Sequence, residues 1–266
     1  MRRTLRASES HTGHFSTSQS KAKAAPASAT ISSLACTMVE RWWAACFIPA
    51  QEFSPAGNEA RGMNLVPSER PWQDIYQILI DTVLPRPIAW VSTLGLDGER
   101  NLAPFSFFMP VTARPMTLAF APMRRGHTPE VKKDTLRNIE ASGEFVVNVV
   151  TRRHADAAHH SAHRLPIDAD EFERAGVSAA PSIDVAPPRV AESPVSFECV
   201  AHRIVDLGDE AGSGHLVIGR VVRVHLADEL LDDRGRVVRG RLEPVGLVGA
   251  DDYLGLDGLF ELVRHD

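Results

Sequence analysis

Cysteine is scarce in this chain of 266 residues, and the chain also lacks a basic excess and long apolar runs. Cys36, Cys46 and Cys199 have no metal-ligand spacing, and such a sparse, odd set favours a reducing compartment without a disulfide framework. We therefore predict a cytoplasmic protein. The net charge of -5 gives no reason to expect a nucleic-acid partner, and no apolar run predicts a membrane span.

Motifs for nucleotide phosphates and for nucleophilic catalysis are also missing. The sequence contains no GxGxxG, no GxxxxGK[ST] and no GxSxG pattern. The glycine-rich run GDEAGSGH connects two strand-like segments. We therefore interpret it as a hairpin turn and not as a phosphate loop.

Histidines cluster in the segment HADAAHHSAH, at His154, His159, His160 and His163. On a helix, His159 and His163 would be i, i+4 neighbours able to share a metal ion. The glutamate of an HExxH motif is missing, however. We predict a solvated helix face and no metal site.

The first 62 residues differ in composition from the rest of the chain. They contain twelve Ala and nine Ser, with seven Lys and Arg against four Asp and Glu, and their apolar periodicity is poor. A start that is rich in Arg and Ser and poor in acids is also typical of an organelle-targeting segment. We expect residues 1–62 to be a disordered extension and residues 63–266, which open at Met63, to be the folded domain.

Residues 63–266 have the pattern of a mainly β domain. The segment WQDIYQILIDTV has apolar residues at helical spacing and predicts a helix that LPRP ends. IAWVSTL, NLAPFSFF and MTLAFAP predict an antiparallel meander, and EFVVNVV predicts a further strand. VSFECVAHRIVDLG and HLVIGRVVRVHLA predict a long hairpin, and RLEPVGLVG predicts a last short strand. We predict a small antiparallel barrel of about six strands.

Residues 152–194 interrupt this β pattern with short helix-like segments followed by a Pro-rich stretch. An insertion of this length between strands is either functional, for example by shaping a pocket, or it covers a sheet edge.

The segment KKDTLRNIEASG predicts a short amphipathic helix that stops at Gly143. Its first residues are cations, although the dipole of a helix N-terminus favours anions. One interpretation is a phosphate site made by Lys132 or Lys133, the Thr135 hydroxyl and the first backbone N–H groups. The other is a solvated turn, and the sequence leaves both open.

His225 ends the second strand of the predicted hairpin. Alternation along that strand places Val217, Gly219, Val221, Arg223 and His225 on one face. A glycine within a strand permits the close approach of a ligand or another backbone. This face therefore either lines a site or is a solvent-exposed outer surface with a bulge at Gly219.

Several segments together resemble the flavin reductase-like, FMN-binding split-barrel family. They are LPRPIAWVSTLGLDGERNLAPFSFF, KKDTLRNIEASGEFVVNVV, PPRVAESPVSFECVAHRIVDLG and HLVIGRVVRVHL, and they cover about residues 70–250 in the family's order. The resemblance implies a mainly β fold, a six-stranded antiparallel Greek-key split barrel with a few short flanking helices. It also implies a homodimer with FMN near the subunit interface.

The resemblance further implies the residues of the site. Ser92 and Thr93 are expected to line the flavin, and the backbone of the segment that contains Asn101, Leu102, Ala103, Pro104 and Ser106 is expected to border its ring. Those expected near the phosphate are Lys133, Asp134 and Thr135. His225 matches a strand histidine near the ring and is the candidate catalytic residue. Met109 stands where many relatives have Asn, so a polar contact made by that Asn is lost here.

The function implied by the resemblance is that of an NAD(P)H-dependent FMN oxidoreductase. A hydride would pass from NADH or NADPH to FMN, and the reduced flavin would serve a separate flavin-dependent monooxygenase. The flavin carries the chemistry in such a protein, which agrees with the lack of a nucleophile motif. The alternatives are a flavoprotein oxygenase or reductase with its own small organic substrate, and an FMN-binding module without catalytic turnover.

Overall fold

The structure is a computed structural model, and it describes residues 62–124, 126–162, 170–256 and 262. The chain divides into two units, Met1–Gly62 and Met63–Asp266, and nearly all the described residues belong to the second. Residues 1–61 of the predicted extension and His163 lie outside the described residues. The predictions made for them therefore stay predictions.

The described residues form short helices around a large antiparallel sheet. The α-helices are α1 (Trp72–Thr82), α2 (Asp134–Ser142), α3 (Ala155–His160) and α4 (Glu171–Ala175). Single 3-10 turns occur at Pro67–Glu69, Arg152–His154, Asp228–Leu230 and Arg239–Arg241. The helices predicted from WQDIYQILIDTV and KKDTLRNIEASG are confirmed as α1 and α2. Among the described residues, no helix has the length and apolar character needed to cross a membrane.

The strands belong to three separate sheets. In chain order they are β1 (Arg86–Pro87), β2 (Ala89–Leu94), β3 (Arg100–Phe105), β4 (Phe108–Ala113), β5 (Met116–Phe120), β6 (Glu144–Val149), β7 (Ala179–Ala180), β8 (Arg189–Val190), β9 (Val195–Asp206), β10 (His215–Leu226), β11 (Gly246–Val248) and β12 (Asp252–Leu254). The large sheet has seven strands in the order β3-β2-β6-β9-β10-β5-β4. The predicted long hairpin is confirmed as β9 and β10.

The predicted meander is wrong at one point, and the sheet is open at that point. NLAPFSFF does not form one strand, because it breaks at Ser106 and Phe107 into β3 and β4. These two strands lie at opposite edges of the seven-stranded sheet and do not pair with each other. The sheet therefore has one strand more than predicted and stays open along the line where the chain crosses from one edge to the other.

Helix α2 covers one end of the inner core. Lys133 precedes it in an extended conformation, and Gly143 ends it in the left-handed region at φ 75°, which favours glycine. Leu136 and Ile139, one helical turn apart, are buried against the aromatic side chains of Phe105, Phe120 and Phe145. The helical spacing seen in the sequence therefore corresponds to the face that packs on the sheet.

A second core lies on the outer face of the same sheet, under the insertion at residues 152–194. Trp90 and Leu102 point to this face and pack with Phe172 of α4 and Val190 of β8. The Trp90 indole N–H donates to the Ser161 hydroxyl at 2.9 Å. The described part of the insertion thus packs on the outer face of the sheet.

The strand face predicted to run from Val217 to His225 is interrupted by a bulge. Val221 lies opposite Cys199 of β9, whereas Arg223 lies opposite the next residue, Glu198, so Val222 is the extra residue. Val217 and Val221 belong to the inner core. Arg223 and His225 instead bond to Asp184 and Glu198. The prediction of one continuous face is wrong, because a bulge reverses the sides to which the following side chains point.

Gly219→Ala is expected to lower the free energy of unfolding by about 1–3 kcal/mol, as overpacking in a core does. A Cβ at this position would lie 2.8 Å from Cε1 of Phe145, whose ring is 1% exposed and has no room to move. Urea denaturation measures the change. Gly240→Ala is the control, because nothing lies within 4 Å of its added Cβ. Equal stability of the two variants would contradict the tight contact.

Candidate functional site

A groove runs along the break between β3 and β4. It consists of two cavities, of about 470 Å³ and 320 Å³, which share the lining residues Ser106, Phe107 and Ala121. We call them the basic arm and the apolar arm. Cavities of this size are typical of small-ligand sites.

The basic arm lies between α1 and the start of α2. It is lined by Trp72, Gln73, Tyr76, Gln77, Pro104, Phe105, Ser106, Phe107, Ala121, Met123, Arg124 and Lys133. The Lys133 ammonium lies 5.2 Å from the centroid of the Phe105 ring. Arg124 pairs with Asp206 at 3.1 Å and donates to the carbonyl of Gly208, so its charge is compensated by the protein. An aromatic wall beside an ammonium is a suitable surface for a ring that carries an anion.

The apolar arm continues the groove past Phe107. It is lined by Leu79, Val83, Pro85, Arg86, Pro87, Ser106, Phe107, Phe108, Met109, Ala119, Ala121 and Leu216. Met109, the departure noted in the sequence, lies in this arm and is 52% exposed. Its thioether therefore adds apolar surface where many relatives carry an amide.

A buried polar network holds three of the predicted site residues, Thr93, Asn101 and Thr135, outside the groove. The Asn101 Oδ1 atom accepts hydrogen bonds from the hydroxyls of Thr135, at 2.7 Å, and Thr93, at 3.1 Å. The Asn138 amide donates to Thr93 Oγ1 at 3.1 Å. The Asn101 amide donates to Glu171 Oε1 at 3.0 Å. This network ties α2 and α4 to β2 and β3, so the Thr135 hydroxyl already has an acceptor within the protein.

A third cavity of about 490 Å³ opens on the other side of this network. Asp134 lines it and pairs with Arg137 at 2.8 Å. Glu171 also lines it, and burial raises the pKa of its carboxyl although the Asn101 amide lowers it in part. Asp134 thus faces a different cavity from its neighbour Lys133, and the KDT segment separates the two.

Three further predicted residues have their side chains in the two cores. Ser92 is fully buried on the outer face, and its hydroxyl donates to the Pro188 carbonyl at 2.5 Å. Leu102 packs in the outer core, and Ala103 packs against the inner core. Of the residues that the resemblance assigns to the flavin, the groove is therefore lined by Pro104, Ser106 and Lys133.

His225 lies on the outer face and lines neither arm of the groove. Its Nε2 atom is 2.5 Å from Oε1 of Glu198, a fully buried carboxylate. Glu198 also accepts from the backbone N–H groups of Ile183 and Asp184 in the insertion. The Glu198 carboxylate therefore connects His225 on β10 with the insertion.

His215 is a second histidine on β10, and it was not among the residues predicted from the sequence. It is 4% exposed, and within the described chain its Nδ1 atom has no hydrogen-bond partner. Burial lowers its pKa, while the Asp206 carboxylate, 3.7 Å from Nε2, acts in the opposite direction. The position of His215 directly after the turn GSG was the feature of the sequence that could have drawn attention to it.

Several residues that line the groove were not identified as site residues from the sequence. Trp72 and Tyr76 were interpreted only as part of a helix, and Phe107 as part of a strand. Arg86 appeared only as the Arg of the helix-ending LPRP, and it lies almost fully buried between the groove and the chain's last strands.

The described residues contain no cluster of three or more metal ligands.

Comparison with known proteins agrees with this geometry. Residues 81–241, more than half of the chain, match the flavin reductase like domain. The chain belongs to the flavin reductase-like family. A protein of Halalkalibacterium halodurans is 37% identical to this flavin reductase-like protein over 205 residues, covering 76% of this chain and 96% of that protein. The fold is thus a split barrel, and the protein is a flavin-related oxidoreductase.

Two solved structures are similar to this family member over most of their length. Nitrilotriacetate monooxygenase component B from Bacillus cereus is 32% identical with a TM-score of 0.70, covering 76% of this chain and 98% of that one. The 2-nitrobenzoate 2-nitroreductase NbaA of Pseudomonas fluorescens is 28% identical with a TM-score of 0.66, covering 76% and 96%.

Proposed function

We propose that this protein is an NAD(P)H-dependent FMN reductase that binds its flavin in the groove between β3 and β4. The observation that carries the proposal is the continuity of the two arms across Ser106 and Phe107, with an ammonium in one arm and apolar walls in the other. A flavin has matching parts, a phosphate and a large flat ring. The residues present therefore fit the group.

Each part of the groove has a task in this function. Lys133 and the first backbone N–H groups of α2 hold the phosphate, since a helix N-terminus favours an anion. The backbone from Pro104 to Phe107 and the Ser106 hydroxyl border the ring. Trp72 and Tyr76 exclude water from one side. A bound flavin would supply the hydride chemistry with the nicotinamide, so the chain itself would need to bind and orient the two but not to supply a nucleophile.

We further propose a cytoplasmic homodimer that passes reduced flavin to a separate monooxygenase. The similarity to a monooxygenase component B supports the transfer of flavin to a partner enzyme. Exposed apolar side chains support the dimer, since a partner chain would bury them. They include Val83 and Leu84, which directly follow α1, and Met109 and Val111 of β4. Sedimentation velocity at micromolar concentration measures the oligomeric state.

Anaerobic stopped-flow absorbance tests the reductase function. Oxidised FMN bound to the protein is mixed with NADH or with NADPH, and we expect rapid bleaching of the flavin with stoichiometric loss of the pyridine nucleotide. The faster nucleotide identifies the co-substrate. Stable flavin colour with both nucleotides would contradict the proposal and favour a binding module without turnover.

A second candidate is a reductase that acts on its own aromatic substrate. The apolar arm extends beyond the basic arm and offers about 320 Å³ of mostly apolar space. The similar NbaA protein is a nitroreductase of 2-nitrobenzoate. Turnover of nitroaromatic acids by the reduced protein, without added monooxygenase, would favour this function. No residue from the described part of the insertion lines either arm.

A further inference from the structure

A buried guanidinium lies at the floor of the apolar arm. Arg86 is 4% exposed, and its Nη1 donates to the Ile80 carbonyl at 2.5 Å. Its Nη2 donates to the Gly249 carbonyl, and its Nε donates to the Ser106 hydroxyl at 3.3 Å. Within the described chain Arg86 forms no ion pair. The nearest carboxylate in sequence, Asp81, accepts from Gln77 instead.

Among the described residues, this arrangement gives the positive charge of Arg86 no carboxylate as an ion-pair partner. Burying a cation is costly unless it is hydrogen-bonded and paired, and carbonyl oxygens supply the hydrogen bonds but only partial charges. Arginine carries a full positive charge, so the potential that Arg86 creates around it is positive. An anion bound nearby would therefore be stabilised.

Ser106 carries that potential into the groove. Its Oγ accepts a hydrogen bond from Arg86, so its own proton is directed to a different acceptor. Ser106 lines both arms, and of the described residues that line the apolar arm Arg86 alone is charged. The groove thus presents a hydroxyl donor backed by a buried charge in surroundings that screen charge weakly.

We propose that Arg86, acting through Ser106, makes the groove prefer reduced over oxidised flavin. Two electrons and one proton convert the neutral oxidised ring into a reduced ring with one negative charge. Only the reduced ring therefore gains from the positive potential at the apolar arm. This inference rests on the proposed binding of flavin in the groove, and it assigns Arg86 as a positioning residue for Ser106.

The test compares the affinities for the two redox states. Dissociation constants for oxidised FMN and for anaerobically reduced FMN are measured for the wild type, Ser106→Ala and Arg86→Gln, together with the reduction potential of the bound flavin. We expect the wild type to bind reduced FMN about tenfold more tightly or better, and both variants to lose most of that ratio. A tenfold change corresponds to about 30 mV for a two-electron couple.

Two controls keep the result interpretable. Ser106→Ala leaves the two carbonyl bonds of Arg86 in place, so it tests the proposal even if Arg86→Gln folds poorly. Arg203→Gln removes the same charge from an exposed position on β9 and is expected to leave the ratio unchanged.

Three outcomes would overturn the proposal. Equal affinity of the wild type for both redox states, or an equal loss for both states in Ser106→Ala, contradicts the inference while leaving the reductase function intact. Failure of the wild type to bind flavin in either state overturns the inference and the proposed function together.

Discussion

Lys133→Ala is expected to weaken FMN binding by about tenfold to a hundredfold, while riboflavin binding changes little. A hydrogen bond to a charged group contributes about 1.5–3 kcal/mol, which corresponds to that range of affinity. Lys133 lines the basic arm at the start of α2, and riboflavin has the same ring as FMN without the phosphate. Fluorescence titration with the two ligands measures the difference.

Lys132→Ala is the matched control for this prediction. The Lys132 ammonium lies 2.7 Å from the Glu140 carboxylate on the surface of α2, and Lys132 lines neither arm of the groove. Its removal should therefore leave both affinities nearly unchanged. The effect of Lys133→Ala should also shrink as salt is raised, because exposed charges are screened. If FMN and riboflavin lose affinity equally, Lys133 contacts the ring or the fold and not a phosphate.

Glu198→Gln is expected to lower the free energy of unfolding by about 1–3 kcal/mol, the cost of leaving buried hydrogen-bonding groups without a partner. The fully buried carboxylate accepts from His225 and from the amides of Ile183 and Asp184, at 2.5, 2.8 and 2.6 Å. A glutamine offers one acceptor oxygen and places an N–H₂ group against a donor. Denaturant titration measures the loss.

The same substitution should remove a pH dependence of stability. Burial raises the pKa of Glu198, but the hydrogen bonds from His225 and the two amides outweigh it and hold the pKa below its ordinary value of 4.5. A carboxylate with a lowered folded-state pKa stabilises the protein above the unfolded-state pKa. That contribution is lost as the pH falls through the folded-state pKa. The difference between wild type and Glu198→Gln should therefore shrink below about pH 4.5.

Asp184→Asn is the control in the same segment of the insertion. Asp184 pairs with Arg223 at 2.7 Å, and both side chains are well exposed, so the pair is expected to contribute about 0–1 kcal/mol. Equal destabilisation by Asp184→Asn and Glu198→Gln would contradict the role given to the buried carboxylate.

His225→Gln separates the two roles available to this histidine. The resemblance predicts a catalytic residue near the flavin ring, whereas the structure shows a side chain bonded to Glu198 under the insertion. If the histidine acts on the flavin, stopped-flow bleaching should slow at unchanged stability. If it holds the insertion, stability should fall and the bleaching rate should remain the same.

The amino-acid sequence by itself determined the family, the mainly β class and the elements with strong local signals. Helix α2 could be predicted because the spacing of Leu136 and Ile139 and the stop at Gly143 are properties of one short segment. The β9–β10 hairpin could be predicted for the same reason, since two alternating runs flank a glycine-rich turn. The resemblance named Pro104, Ser106 and Lys133, which line the groove.

Only the tertiary structure decided where the groove lies and which side chains face it. The chain breaks at Ser106 and Phe107 because β3 and β4 pair with different strands, β2 and β5, and such pairing is not encoded in a local period. The bulge before Arg223 exchanges the faces of β10 and takes His225 away from the inner core. Arg86 bonds to Gly249, 163 residues further along the chain. A buried charge of this kind depends on partners that no sequence window contains.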